Sequence, residues 1–267
     1  MKRTSRNVIR VIMLLITTLT ITYAQNKEKV LIVLTSHSEL GNSEKETGFW
    51  LPELTLPYYK FKEAGYVVDI ASIKGGIAPV DQKIFQDKEQ EKSNEMFLNN
   101  AELMSKVFTT LVLSDIDTKR YKAILYVGGS GTMWDFPDNE DINRITREIY
   151  ENNGIVSAVC HGPSALVNVK LSNGKYLISG KKITSFTNEE EEDLNFKDSN
   201  GKVIEMKNIL PFLLEDKLIE RGANHIHKKA WKENVIVDGR LITGQNSESA
   251  AKVADKMIEY LQKNKDR

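Results

Sequence analysis

The sequence predicts an α/β fold: a parallel sheet with helices on both faces and a nucleophile elbow at one strand end. Three observations predict it. Continuous apolar runs such as KVLIVLTS (29–36) and YKAILYVGGSG (121–131) have the pattern of strands buried on both faces. Segments with helical spacing separate these runs, and regular alternation of the two is the signature of βαβ units. The run IVSAVC ends at Cys160, with Gly162 and Pro163 immediately after it, so a sharp turn sits at a strand's carboxyl end, where ligands gather in open parallel sheets.

Each element follows in order. After the first strand, LPYYKFKEAGY predicts a helix with Pro57 early and Gly65 as its stop, and YVVDIAS a second buried strand. SNEMFLNNAELMSKVF (93–108) places Met96, Phe97, Leu103, Met104 and Val107 at helical spacing, a face expected in the core. YKAILYV is the third strand and DINRITREIYENNG a helix with a glycine stop. IVSAVC is the fourth strand, and PSALVNV the helix after it. Toward the C-terminus, KYLISGKKITSFT predicts a hairpin turning at Gly180, ILPFLLEDKLIERG a helix, and NVIVDGRLITGQN a hairpin turning at Asp238 and Gly239. SESAAKVADKMIEYLQKN is a final amphipathic helix with Ser247 as N-cap. Residues 75–120 and 186–210 are expected as insertions, and NEEEEDLNF as a solvated acidic loop or helix start. No internal repeat or long linker divides the chain, so residues 25–267 are expected to form a single domain.

With 267 residues the chain can bury a large core without disulfides, and its single cysteine cannot form an internal one. Thirty-seven Lys and Arg balance 37 Asp and Glu, which leaves no electrostatic footprint for nucleic acid. The N-terminus differs from the rest. MKRTSRNVIR is purely basic, VIMLLITTLTI is a short apolar run, and TYA is a small-residue site before Gln25, the three parts of a secretory signal peptide. Cleavage near Ala24 is therefore expected, with residues 1–24 removed and an exported, periplasmic or extracellular protein released; the alternative is an uncleaved membrane anchor. The segment carries Lys2, Arg3, Arg6 and Arg10 and no acid, so the mature chain is mildly acidic.

Cys160 is where the chemistry concentrates. A buried strand before it and a Gly-Pro turn after it give the shape of a nucleophile elbow. At such a place the thiol faces a helix N-terminus, and its pKa is expected below the free value. YVGGSGTMWDF ends a second strand in Gly128, Gly129 and Gly131, whose backbone amides could approach a developing oxyanion; glycine turns also end strands with no such purpose. His225 and His227 straddle Ile226 and share one strand face, a spacing open to metal binding. No third ligand is evident beside them, so a surface or edge-strand role is expected, with no metal and no cofactor. His37 follows the first strand, either near the pocket mouth or as an ordinary loop residue. Trp134 and Phe136 are either pocket wall or packing.

Four blocks carry a resemblance: AVCHGPSAL, YVGGSGTMWDFPDN, ETGFWLPELTLPYYKFKEAGYVVDIAS and DGRLITGQNSESA. In their order along the chain they closely resemble the ThiJ/PfpI superfamily, from about Lys29 to the last helix, and within it the glyoxalase III and heat-shock chaperone branch. The resemblance implies a flavodoxin-like parallel-sheet sandwich of the class I glutamine amidotransferase type. It implies that Cys160 is the nucleophile, His161 the histidine beside it, and Glu53 the acid that contacts the sulfur. Read from the residues alone, Glu53 is only a good first-turn helix residue. Beside a thiolate, its pKa would be raised by like charge and burial, leaving it able to shuttle a proton. Gly129 and Ser130 match the oxyanion loop. Relatives often carry histidine where this chain has Leu56 and Ser130, which makes the pocket more apolar and leaves the substrate open. The third member of a Cys-His-acid triad falls in SFTNEEEED; Asn188 is the expected position, with Glu189 and Glu190 next. Asn orients an imidazole without stabilising its charge as a carboxylate would.

The resemblance implies cysteine-dependent, glutathione-independent conversion of α-oxoaldehydes, methylglyoxal to lactate, or repair of glycation adducts by the same first step. The alternatives are a holdase chaperone acting on unfolding proteins, a peptidase or amidase of the same superfamily, and an oxidant sensor at the lone thiol. Expected partners are a small reactive carbonyl, glycated or unfolding proteins, and a second copy of the chain in a homodimer.

Overall fold

The computed structural model describes residues 27–264 apart from 87, 89, 90, 198 and 199. The expected leader, residues 1–24, lies outside the described residues. Strand β1 (Lys29–Leu34) leads to helix α1 (Leu51–Glu63) and strand β2 (Val67–Ser72). Helices α2 (Glu91–Leu98) and α3 (Ala101–Phe108) precede the two-residue edge strand β3 (Leu111–Val112). Strand β4 (Tyr121–Tyr126) is followed by the single turn α4 (Thr132–Asp135), helix α5 (Glu140–Glu151) and strand β5 (Ile155–Val159). The C-terminal part holds β6 (Lys182–Ile183), α6 (Asn188–Asp193), β7 (Phe196–Lys197), β8 (Val203–Ile204), α7 (Leu214–Glu220) and β9 (Asn224–His225). Strands β10 (Val235–Asp238) and β11 (Leu241–Gly244) and helix α8 (Ala250–Lys263) complete the described chain.

One seven-stranded sheet runs in the order β10-β11-β5-β4-β1-β2-β3. Every neighbouring pair is parallel except the hairpin β10–β11. Side chains of β1 alternate between two cores, as a strand's twofold period requires. Val30, Ile32 and Leu34 pack with Leu54, Tyr58 and Phe61 of α1 and Val253 and Met257 of α8. Leu31 and Val33 pack on the opposite face with Ile142, Ile145 and Ile149 of α5. The sheet is thus buried on both faces, which explains why its strands appear as unbroken apolar runs. Because β1, β4, β5 and β11 are parallel and adjacent, their carboxyl ends meet on one edge, and the loops leaving that edge build the site.

The sequence expectations fail in four places. The helix expected over 93–108 is two helices, because Asn100 caps α3 by accepting from the Leu103 N–H. PSALVNV forms a five-residue 3₁₀ turn, Gly162–Leu166, in place of a helix. Gly180 does turn the chain, at φ 73°, but Lys182–Ile183 pair in parallel with the distant β9 in place of a hairpin partner. Ser247 does not cap α8; its hydroxyl accepts from the Trp50 indole N–H at 3.1 Å.

Candidate active site

Cys160 is the first residue beyond β5, at φ 59°, a left-handed conformation that costs a non-glycine residue about 1–2 kcal/mol. Backbone hydrogen bonds hold it there from both sides. Its N–H donates to the Gly244 carbonyl at 3.0 Å, and its carbonyl accepts from the Phe186 N–H at 2.8 Å. Gly162 lets the turn close: a Cβ at that position would stand 2.3 Å from the Tyr126 carbonyl oxygen. A second glycine brings the acid in. A Cβ on Gly128 would lie 2.8 Å from both the Cys160 Cβ and Oε2 of Glu53.

Glu53 sits in the first turn of α1 and is fully buried. Its Oε2 accepts from the Gly128 N–H at 2.9 Å, and among the described residues Oε1 has no well-formed hydrogen-bond partner. Burial pushes its pKa up to about 8, outweighing the hydrogen-bonding influence of the Cys160 thiol and the Gly128 amide. At neutral pH the carboxyl is therefore mostly protonated. With Oε2 committed as an acceptor, the proton belongs on Oε1, which is free to donate. The same contact corrects one expectation: the Gly128 amide is taken by Glu53, so it is not available to an oxyanion. Gly129 and Ser130 line the pocket.

The Cys160 sulfur is not the low-pKa thiolate that the elbow suggested. Burial pushes the thiol up, the neighbouring carboxyl groups of Glu53 and Glu190 add to the effect as they ionise, and the His161 backbone N–H opposes it. The physical reason is local. The element after the turn is a short 3₁₀ segment without a long helix's aligned dipoles, and the residue is only 7% exposed. A resting thiol needs a base, and His161 is placed for it. Its Nδ1 lies 3.5 Å from Sγ, while Nε2 lies 2.6 Å from Oε1 of Glu191. A carboxylate only accepts, so Nε2 carries the hydrogen toward Glu191 and Nδ1 presents its lone pair to the thiol.

Glu191 is the acid that the sequence reading missed. Asn188 and Glu189 do not approach His161. Asn188, at the first position of α6, gives its side-chain amide to Asp216 and its backbone N–H to Glu215. Glu189 accepts from the Ala230 N–H at the surface. Glu190 turns back to close a capping box with Thr187 and accepts from Trp231, Gln245 and Asn246. The acidic segment is thus a helix start, as one expectation had it, but Glu190 and Glu191 are buried.

These groups open into a cavity of about 290 Å³, near the small end for ligand sites. Trp50, Phe186 and Trp231 form its aromatic wall, and Asp81, Lys83 and Glu248 bring charge to it. Trp134 and Phe136 do not line it; Trp134 stacks on His37 and Phe136 packs against Tyr126. His37 is a loop residue bonded to the Glu39 carbonyl. Leu56 is half-buried on α1 and is not part of the cavity lining.

A strained strand-end cysteine flanked by a protonated acid and by a histidine–glutamate couple, on a parallel sheet, defines a cysteine-centred site of the elbow type. The chain belongs to the DJ-1/PfpI family, which it matches over residues 46–260. It is 33% identical over 236 residues to glyoxalase 3 of Candida albicans, covering 86% of this chain and 97% of that protein. It is 31% identical over 238 residues to the glutathione-independent glyoxalase HSP31 of Saccharomyces cerevisiae, covering 88% and 98%. Among solved structures, the rapid encystment protein of Francisella tularensis superposes with a TM-score of 0.80 at 38% identity, over 88% of this chain and 99% of that one.

Proposed function

We propose that the protein converts α-oxoaldehydes to hydroxy acids without glutathione, methylglyoxal to lactate being the representative reaction. The observation that carries this reading is the buried contact of Glu53 with Cys160 beside the His161–Glu191 couple, in a chain about 30% identical to named glyoxalases along most of its length. His161 Nδ1 takes the thiol proton as Sγ adds to the aldehyde carbon, and the Oε1 proton of Glu53 passes to the carbonyl oxygen. The product is a hemithioacetal. Glu53, now a carboxylate with a pKa of about 8, then removes the proton on C1 and returns it at C2 through an enediol, while the C1 hydroxyl proton passes to the oxygen on C2, which gives a lactoyl thioester on Cys160. Water adds at C1 and gives a proton to Glu53, the C–S bond breaks, and the sulfur regains its proton from His161. Overall one water is consumed and no electrons leave the substrate.

Lactate production from methylglyoxal by the mature protein, with glutathione omitted, tests the reading. Turnover lost in Cys160→Ala and in Glu53→Gln supports it, and wild-type lactate no higher than the Cys160→Ala background refutes it. Buffered blanks are required, because free methylglyoxal equilibrates with its adducts and imitates glycation repair.

A second reading, binding of other protein chains, rests on a different observation. Ile77, Leu98, Phe108, Leu111 and Val112 are exposed and fall within one stretch that ends at the edge strand β3. That stretch suits either a homodimer face or a holdase surface. Suppression of client aggregation undiminished by Cys160→Ala, in protein shown to be monomeric by light scattering, would favour the holdase. Export after cleavage near Ala24 is part of the proposal, and the N-terminal residue of the secreted protein tests it.

A further inference from the structure

His225 and His227 gain in the fold the third ligand that their neighbours in sequence did not supply. Glu215, on α7, brings its carboxylate to them, and one donor atom from each of the three lies within 4.8 Å of the others. Both imidazoles aim Nδ1 at the same oxygen: His225 at 3.3 Å and His227 at 3.0 Å from Oε1 of Glu215. Ligand atoms about 2.0–2.1 Å from a tetrahedral zinc stand about 3.3 Å apart, so two edges already have the right length.

The hydrogen bonding around His225 points the same way. The Ser185 hydroxyl donates to the Phe186 carbonyl at 3.0 Å, so its oxygen is left to accept from His225 Nε2–H, also at 3.0 Å. Nε2 therefore carries the hydrogen, and in the neutral ring Nδ1 has a bare lone pair. The His225 side chain is 1% exposed, and among the described residues Nδ1 has no hydrogen-bond partner; its approach to Glu215 lacks hydrogen-bond geometry. A buried lone pair facing a carboxylate oxygen is repulsive, and a proton or a metal ion between the two relieves it. The Ser185 bond is the kind of outer contact that fixes the ring of a metal-bound histidine. The His227 side chain is 58% exposed, which leaves a path for an ion and room for water as a further ligand.

We propose that Glu215, His225 and His227 bind one divalent transition-metal ion of the zinc type. Two imidazoles and one carboxylate suit zinc, copper, nickel or ferrous iron and do not suit magnesium or calcium, which take oxygen ligands. The site is separate from the Cys160 cavity, none of whose lining residues it shares. Its role is to tie elements together. The other oxygen of Glu215 accepts from the Asn188 N–H at 2.8 Å, so the ion links α7 and β9 to the first residue of α6, the helix that carries Glu191.

The test is calorimetric titration of chelator-treated Cys160→Ala protein with zinc chloride, beside the same protein carrying His227→Ala or Glu215→Gln. Removing the thiol excludes zinc capture at Cys160, and with it any dependence on the glyoxalase reading. One equivalent is expected to bind and raise Tm, with affinity falling about 100-fold or more in either variant, at least the loss that removal of an outer-shell partner causes. His227 is exposed, so its variant is expected to fold, which circular dichroism checks. Absence of both binding heat and a Tm shift overturns the proposal, as does zinc binding unchanged by His227→Ala.

Discussion

Replacing Glu53 by Gln isolates the energetic cost of the buried acid. In the folded chain Glu53 takes up its proton at about pH 8, against 4.5 for an ordinary Glu. Between those values the folded state holds more protons than the unfolded state, so stability falls as pH rises from 4.5 toward 8. One pKa unit corresponds to about 1.4 kcal/mol. The carboxyl therefore removes about 3 kcal/mol of stability by pH 7 and about 5 kcal/mol above pH 8. Gln has the same shape, keeps a carbonyl oxygen for the Gly128 N–H and cannot ionise. Urea unfolding of both proteins at closely spaced pH values is the assay, and the difference between them cancels the other titrating groups. Below pH 4.5 the two stabilities are expected to agree closely, and by pH 8 the Gln variant is expected to be several kcal/mol more stable. Parallel curves across the range would refute the reasoning, because they would mean that Glu53 ionises normally in the fold.

Other expectations follow from the same geometry. In wild type, kcat/KM for methylglyoxal is expected to fall above about pH 8, where the free enzyme loses the Glu53 proton, and a flat profile to pH 9 counts against Glu53 as the acid. Glu191→Gln is expected to lower kcat by about 100-fold or more by removing the carboxylate that orients His161, while Asn188→Ala and Glu189→Gln change it by less than about threefold. Steady-state rates of the three variants decide this; equal losses would return the third position to Asn188 or Glu189. Gly162→Ala is expected to lose more than about 3 kcal/mol in chemical denaturation, since its Cβ would meet the Tyr126 carbonyl.

The parts of the fold legible in the sequence are those whose signals are local. Strands β1, β2, β4 and β5 are buried on both faces and so read as apolar runs, and the β10–β11 hairpin announces itself at Asp238-Gly239. Between Val169 and Trp231 the helix α7 and the acidic helix start were legible, but strands β6 and β9 were not, because each is two residues long and exists only through pairing with a distant partner, as Ile183 pairs with His225. The elbow at Cys160 was visible as strand, glycine and proline. Its protonation was not, because that depends first on how deeply the sulfur itself is buried and then on the carboxyl groups of Glu53 and Glu190 that the fold brings near it. The third acid was hidden in a run of four glutamates, where only the helix phase decides which side chain faces inward. A usable signal was present. Thr187 and Glu190 form a capping box, which fixes the start of α6 and with it the direction of Glu191.

Covalent capture at Cys160 separates the proposed chemistry from every alternative reading of the site. Protein mixed with methylglyoxal, quenched in acid within one turnover and digested for mass spectrometry, is expected to carry one methylglyoxal mass on the Cys160 peptide. The adduct should disappear as lactate forms, and it should persist in Glu191→Gln, where turnover is slow. Lactate formed at the wild-type rate with no adduct on that peptide, or an adduct that accumulates and never turns over, would contradict a catalytic role for the cysteine.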